Sequence, residues 1–188
     1  MHTSNLKKII ALIFLILIPV NIISQPPGIN NISWRCVGPA HFGGRVTCVT
    51  GIPGDYKTYF IGTAAGGLFR TINGGTTFTP VFDDTGSPSI GAIAVAPSDN
   101  QIVFVGTGEG DPRNDISYGD GIYRSDNGGD SWTHLGLDNT ERFSAIVIHP
   151  EDPDVVYAAA MGEAWSESSD RGIYKSIDGG KSWDKILF

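Results

Sequence analysis

The chain has 188 residues, and 13 lysines and arginines against 20 aspartates and glutamates give it a net charge of −7. This acidic balance argues against nucleic acid and anionic membranes as partners, because both are bound through basic patches. With two cysteines and four scattered histidines, the sequence has no spacing typical of a zinc site, so we expect no metal and no cofactor.

The N-terminal segment has the pattern of a signal peptide over residues 1–24. Lys7 and Lys8 precede an apolar run from Ile9 to Val20, and Ser24 is a small residue at a suitable cleavage point. That run is shorter than the roughly 20 residues that a membrane span needs. An uncleaved anchor is the alternative, since Ile22 is larger than the usual residue before a cut. We predict export to a secreted, periplasmic or cell-surface location, with no membrane insertion after cleavage, and a linker over residues 25–32.

The two cysteines, Cys36 and Cys48, both follow the predicted signal peptide. An oxidising compartment permits a disulfide between them. The alternative is that they are two small buried side chains in neighbouring strands, and the sequence leaves both open.

Three octapeptides repeat along the chain without gaps: Thr71–Phe78, Ser125–Trp132 and Ser176–Trp183. Each reads hydroxyl, any residue, Asp or Asn, any residue, Gly, any residue, hydroxyl, aromatic. We expect each to form a hairpin in which the acid or amide accepts backbone N–H groups and the aromatic ring fills the space between strands. The residues predicted to have this structural role, rather than a catalytic one, are Asn73, Asn127, Asp178, Phe78, Trp132 and Trp183.

Other segments repeat in step with the octapeptides. Each repeat has a Pro-containing turn, a β-rich run and a short strand before its octapeptide, and no helical apolar period occurs after residue 25. This pattern predicts an all-β fold, a β-propeller of four-stranded antiparallel blades at about residues 45–82, 89–137 and 143–188.

An additional strand is predicted at residues 33–38, because Trp34–Pro39 aligns with Trp132–Leu137 and so resembles the last strand of a blade. The predicted propeller domain therefore covers residues 33–188. Three blades and one strand do not close a ring of the usual 4 to 8 blades. We expect either an N-terminal fragment of a longer protein, which we favour, or self-association through the open sheet edges.

The links between the second and third strands of the repeats differ in length. The first repeat has only Ala64–Gly66, whereas the others have residues 108–120 and 161–171. Long loops on a rigid scaffold are where binding groups concentrate. The candidate catalytic carboxylates are Glu109 and Asp111 of the second link, Glu163 and Glu167 of the third, and Asp84 of the connection that follows the first repeat. The candidate ligand-binding residues are Arg113, Tyr118 and Trp165 of the two long links, Arg142 of the connection before the third repeat, and Arg45 at the start of the first repeat. The alternative is that the charges are solvated loop residues of an acidic protein.

The octapeptides resemble the Asp-box, or BNR repeat, of sialidases, xyloglucan-active glycoside hydrolases and the luminal domain of sortilin. The fuller pattern of Trp34–Pro39, Gly43–Val46, Gly62–Thr71 and Gly106–Glu109 is similar to large exported bacterial proteins described as sortilin-like or glycosyl-hydrolase-like. This resemblance covers about residues 33–188. Sialidases carry an early Arg-Ile-Pro motif whose arginine holds the carboxylate of the substrate. This motif does not occur here, which disfavours sialidase activity, although Arg45 could take the position of that arginine.

Three functions follow as hypotheses. The first is an exported propeller that binds a polypeptide or a glycan through its long loops. The second is a glycoside hydrolase acting on an extracellular polysaccharide, whose two carboxyl groups must lie about 5 to 5.5 Å or about 6.5 to 9.5 Å apart. The third is a structural repeat that oligomerises.

Overall fold

The computed structural model describes residues 45–111 and 113–188. The predicted signal peptide, the linker and the strand at residues 33–38 lie outside the described residues. Cys36 lies there too, so its disulfide with Cys48 stays a prediction.

Twelve strands in the described chain form three four-stranded antiparallel sheets, each with its strands in chain order. The first sheet contains β1 (Val46–Ile52), β2 (Asp55–Thr63), β3 (Leu68–Thr71) and β4 (Thr79–Pro80). The second contains β5 (Ile90–Val95), β6 (Val103–Thr107), β7 (Ile122–Ser125) and β8 (Thr133–His134). The third contains β9 (Phe143–Ile148), β10 (Val156–Ala160), β11 (Gly172–Ser176) and β12 (Asp184–Leu187). A 3-10 helix, Asp138–Thr140, precedes β9. The prediction of an all-β fold with four-stranded blades is confirmed.

The turn between the first two strands is stabilised in the same way in every sheet. Asp55, Asp99 and Asp152 each accept the backbone N–H of the residue two positions later, at 2.9, 2.9 and 3.1 Å. An aspartate that bonds its own backbone in this way favours a tight turn. The Pro-containing repeats in the sequence therefore mark these turns.

The octapeptides form the turns between the third and fourth strands. The Oδ1 atoms of Asn73, Asn127 and Asp178 each accept the backbone N–H four residues later at 2.9 Å. The hydroxyl that opens each octapeptide accepts the N–H of the second glycine, at 2.8 to 3.0 Å. Both glycines of each pair have positive φ, which an L side chain rarely adopts.

The apolar core lies between the sheets rather than within one of them. One cluster joins the first two sheets and includes Phe60, Ile90 and Val103, and another joins the second and third and includes Phe104 and Phe143. Because the second sheet is covered on both faces, β6 is buried along its whole length.

The first strands of the three sheets, β1, β5 and β9, lie side by side. Thr47 and Thr50 of β1 donate their hydroxyls to the carbonyls of Ile90 and Ile93 of β5, at 2.6 and 2.9 Å. The residues that precede these strands are thereby brought to one edge of the molecule.

Among the residues that the structure describes, no helix has the length and apolar character needed to cross a membrane.

Candidate functional site

The candidate site lies on the edge where the second strands end and the first strands begin. We call this edge the long-loop face; it comprises the links at residues 64–67, 108–121 and 161–171 and the segments that lead into β5 and β9. Antiparallel pairing places all of these links at the same edge of the sheets. The candidate residues of the second and third links therefore share one face.

One backbone hydrogen bond repeats on this face and identifies three equivalent positions. The carbonyls of Arg45, Ser89 and Arg142 accept the N–H groups of Ala64, Gly108 and Met161, at 2.9, 2.8 and 2.8 Å. Each acceptor directly precedes the first strand of its sheet, and each donor directly follows the second strand. Three residues consequently occupy corresponding places directly before the adjacent first strands of the sheets: Arg45, Ser89 and Arg142.

Arg45 forms an ion pair with Glu109 across the boundary between the first two sheets. The Glu109 side chain is only 2% exposed, whereas that of Arg45 is 34% exposed. The backbone of Glu109 is fixed as well, because its N–H donates to the carbonyl of Ser117 at 3.1 Å. The guanidinium therefore neutralises a carboxylate that is almost fully removed from water.

Arg142 is fully buried at the start of the third sheet. Its guanidinium lies over the ring of Tyr118, 4.3 Å from the ring centroid, in the geometry of a cation–π contact. Its Nη1 donates to Glu141 Oε2 at 2.5 Å and to the carbonyl of Gly162 at 3.2 Å. Within the described chain, its Nε and Nη2 have no hydrogen-bond partner. Arg142 thus connects the second link, through Tyr118, to the third link, through Gly162.

A polar cavity of about 490 Å³ opens beside the ion pair. Arg45, Arg113, Asn114 and Asp115 line it. Its walls carry both signs of charge and amide groups, so they can donate and accept hydrogen bonds.

Two aromatic side chains on this face are exposed. Tyr118 is 59% exposed and Trp165 is 65% exposed. Arg171 holds the loop that carries Trp165, because its guanidinium donates to the carbonyls of Met161, Glu163 and Ser166 at 2.8, 2.6 and 3.2 Å. Arg171 therefore supports the loop, and Trp165 is displayed on it.

Asp120 lies near the end of the second link and is hydrogen-bonded to side chains of the sheet. It accepts hydrogen bonds from Thr107 Oγ1 at 3.1 Å and from the Tyr123 hydroxyl at 2.8 Å. Burial, followed by the bond to Asp120, raises the pKa of Tyr123 to about 12. Asp120 anchors the loop.

The candidate catalytic carboxylates lie in different environments. Glu109 is buried in its ion pair, and Glu163 is half-buried and accepts the backbone N–H of Trp165 at 3.3 Å. Asp84, Asp111 and Glu167 are exposed. Among the described residues, no group of three or more histidines, cysteines or acids is arranged to hold a metal ion.

Ser89 is the residue of this face that sequence reasoning missed. It is fully buried, and its Oγ has no hydrogen-bond partner in the described part of the chain. Alignment of the three repeats at the residue before the first strand would have paired it with Arg45 and Arg142.

Comparison with known proteins gives one family match. The Sortilin-Vps10 model, described as sortilin, neurotensin receptor 3, matches residues 66–187. A relative named xyloglucanase, from Hypocrea jecorina (strain QM6a), is 27% identical over 168 residues, which are 82% of this chain and 19% of that protein.

Two solved structures support the same fold. An ancestral GH74 enzyme aligns with a TM-score of 0.60 and 25% identity, over 76% of this chain and 18% of the other. The GH74 enzyme of Niastella koreensis aligns with a TM-score of 0.56 and 25% identity, over 74% of this chain and 21% of the other. The chain spans about a fifth of the length of these three relatives.

The three blade-like sheets agree with these neighbours, and the family model matches well over half of the residues. The chain is a β-propeller protein and belongs to the Sortilin-Vps10 family.

Proposed function

We propose that the protein is exported and binds a glycan through its long-loop face. The observation that carries this proposal is the pair of exposed rings, Tyr118 and Trp165, on two links that Arg142 connects. An aromatic ring offers a flat apolar surface to the C–H face of a sugar, and nearby polar groups can bond the sugar hydroxyls. The polar cavity beside Arg45 supplies such groups. Export rests on the signal-peptide pattern of residues 1–24.

The similarity to a xyloglucanase and to GH74 enzymes supports a polysaccharide as the ligand. A neutral polysaccharide also suits an acidic protein, because its binding requires no basic patch.

Hydrolysis of the polysaccharide is the second candidate function, and the same enzyme relatives favour it. Four of the five candidate carboxylates fit the role of the proton-donating acid poorly, and Glu163, which is half-buried, fits it better. Glu109 is buried, and its carboxylate is engaged with the guanidinium of Arg45 rather than facing a ligand. Asp84, Asp111 and Glu167 lie in solvent, whereas a glycosidase acid works from a shielded site.

Affinity electrophoresis and calorimetry on a panel of neutral polysaccharides, including xyloglucan, test the proposal. We expect Tyr118→Ala and Trp165→Ala each to weaken binding by about two- to thirteenfold, from the roughly 0.5–1.5 kcal/mol typical of an aromatic contact. Tyr56→Ala is the matched control, because Tyr56 is 83% exposed but lies beside the turn at the opposite edge of the first sheet.

Equal weakening by Tyr56→Ala, or no binding to any polysaccharide, would contradict glycan binding. Binding of polypeptides instead would establish the other ligand class that the sequence predicts. Release of reducing sugar by the wild type, lost in Glu109→Gln or Asp111→Asn, would favour the hydrolase.

A further inference from the structure

Two of the three octapeptides contain an asparagine followed by a glycine, the pair in which deamidation is chemically easiest. In this reaction the glycine nitrogen gives up its proton and attacks the side-chain carbonyl carbon of the asparagine. The side-chain nitrogen leaves as ammonia, and water opens the resulting succinimide ring to aspartate or isoaspartate. Glycine favours the attack because it has no side chain to restrict its backbone. The sequence therefore marks Asn73–Gly74 and Asn127–Gly128 as the most readily deamidated sites.

The attacking glycine nitrogen is hydrogen-bonded in the folded chain. Gly74 donates its N–H to the carbonyl of Lys57 at 2.9 Å, and Gly128 donates to the carbonyl of Gln101 at 2.8 Å. Each acceptor lies at or near the beginning of the second strand of the same sheet. An N–H that is bonded in this way exchanges its proton only when the structure opens locally. The loss of a proton that begins the attack is therefore opposed at both sites.

The turn aspartates hold the residues that accept these glycine N–H groups. In each sheet, the residue whose carbonyl accepts the glycine donates its own N–H to the aspartate two positions earlier, at 2.9, 2.9 and 3.1 Å; these aspartates are Asp55, Asp99 and Asp152. Two hydrogen bonds through one residue thus connect the first turn of a sheet to its octapeptide. Asp55 fixes the residue that holds Gly74, and Asp99 fixes the residue that holds Gly128.

The side chains of the two asparagines are held as well. Asn73 accepts the N–H of Thr77 through Oδ1 at 2.9 Å and donates from Nδ2 to the Thr77 hydroxyl at 2.8 Å. Asn127 makes the same two bonds to Ser131, at 2.9 and 2.8 Å. Both asparagines are nevertheless exposed, so water and base reach them. Hydrogen bonds, rather than burial, are what oppose the reaction.

We propose that Asn73 and Asn127 are deamidation sites whose reaction is suppressed by the turn aspartates of their own sheets, Asp55 and Asp99. A hairpin must open locally before the succinimide ring can close, so the rate follows the population of the opened hairpin. Removal of a turn aspartate loosens the carbonyl that holds the glycine and raises this population. The bonds lie within one sheet, so each aspartate protects only the asparagine of its own sheet.

The third octapeptide shows which product the fold accepts. Asp178 stands at the position of the two asparagines and accepts the backbone N–H and the hydroxyl of Ser182, at 2.9 and 2.6 Å. An aspartate formed at Asn73 can therefore make the same turn. An isoaspartate cannot, because its backbone runs through the side-chain carbon and is one atom longer, which moves the carboxyl oxygen away from the N–H of Thr77. Isoaspartate is thus the product that damages the hairpin.

The test incubates the full chain in mildly alkaline buffer, both folded and unfolded in urea, and follows the two asparagines in the same sample by peptide mapping with mass spectrometry. We expect both to deamidate at least about tenfold more slowly in the folded wild type. Asp55→Ala should speed the reaction at Asn73 by about two- to thirteenfold, the factor that one net hydrogen bond contributes, and leave Asn127 unchanged. Asp55→Asn is the matched control: its amide oxygen can still accept the N–H of Lys57, so Asn73 should stay near the wild-type rate.

Equal rates in the folded and the unfolded wild type would overturn the proposal, because the hydrogen bonds would then give no protection. Asp55→Ala contradicts it by leaving Asn73 unchanged, or by speeding both sites alike, which is the result of general unfolding. Acceleration of Asn73 by Asp55→Asn to the same degree as by Asp55→Ala also refutes the role of the turn oxygen. Asp99→Ala is the second, independent measurement: acceleration confined to Asn127 supports the proposal, and acceleration of both sites or of neither refutes it.

Discussion

The ring of Tyr118 covers the guanidinium of Arg142, so that a fully buried cation lies 4.3 Å beneath an aromatic side chain that is itself exposed. The contact has two consequences. It shields from water a charge whose only charged hydrogen-bond partner in the described chain is Glu141. It also holds the Tyr118 ring in place, which would pre-organise the outer face of the ring for the glycan proposed above.

Replacing Tyr118 tests the shielding role. We expect Tyr118→Ala to lower the free energy of unfolding by about 1 to 2 kcal/mol, because a desolvated cation–π contact is lost. Tyr118→Phe keeps the ring and should stay within about 0.5 kcal/mol of the wild type, the usual range for a surface substitution. Urea denaturation measures both. Equal destabilisation by the two variants would show that the hydroxyl, rather than the ring over Arg142, supports the fold.

The ion pair between Arg45 and Glu109 should be a coupled unit. Glu109→Gln leaves Arg45 without its charge partner, and Arg45→Gln leaves a carboxylate that is 2% exposed without a cation. We therefore expect the double variant to be less destabilised than the sum of the single variants, by about 1 to 3 kcal/mol. A double-mutant cycle by chemical denaturation gives this value, and additive effects would mean that the two side chains are not energetically coupled.

The sequence predicts the fold more completely than the site, for a physical reason. The turn aspartates and the octapeptides act locally, bonding backbone groups two and four residues away, so their spacing alone reveals the hairpins. The contacts of Arg142 with Tyr118 and Gly162 join residues about 20 positions apart and depend on how neighbouring sheets meet. The position of Arg142 in a connection between two repeats marked it as a candidate basic residue but gave no sign that it is buried. Ser89 was missed because a serine in a loop carries no chemical signal of its own.

Two glycines, Gly54 in the turn between β1 and β2 and Gly180 of the third octapeptide, allow strain and packing to be separated. Gly54 and Gly180 both have positive φ, at 82° and 91°, but a methyl group on Gly54 meets nothing within 4 Å, whereas one on Gly180 would lie 2.5 Å from Leu135 Cδ1. We expect Gly54→Ala to cost about 1 kcal/mol, from the left-handed backbone alone. Gly180→Ala should cost about 1 to 3 kcal/mol more, the typical cost of overpacking. Thermal and urea unfolding compare the two, and equal costs would show that Leu135 moves aside freely.

The octapeptide of the third sheet should respond to acid in a way that the other two do not. Asp178 stands where the first two octapeptides have Asn73 and Asn127, and its pKa falls from the ordinary 3.8 to about 2. The hydrogen bond from the Ser182 hydroxyl is the main cause, followed by the Ser182 backbone N–H and the Ser176 hydroxyl. The pKa of Asp178 is lower in the folded state than in the unfolded state. The stability that its ionised carboxylate contributes is therefore fully present above pH 3.8 and is lost as the pH falls toward 2.

Asp178→Asn is the matched substitution, since Asn127 shows that an amide can make the same turn. Asn127 accepts the N–H of Ser131 through Oδ1 at 2.9 Å and donates from Nδ2 to the Ser131 hydroxyl at 2.8 Å. We therefore expect near-native stability at pH 7 and a flatter decline between pH 4 and 2 than in the wild type. If unfolding curves at pH 7, 4 and 2 show the same acid dependence for Asp178→Asn and the wild type, the bonds from Ser182 do not stabilise the ionised hairpin.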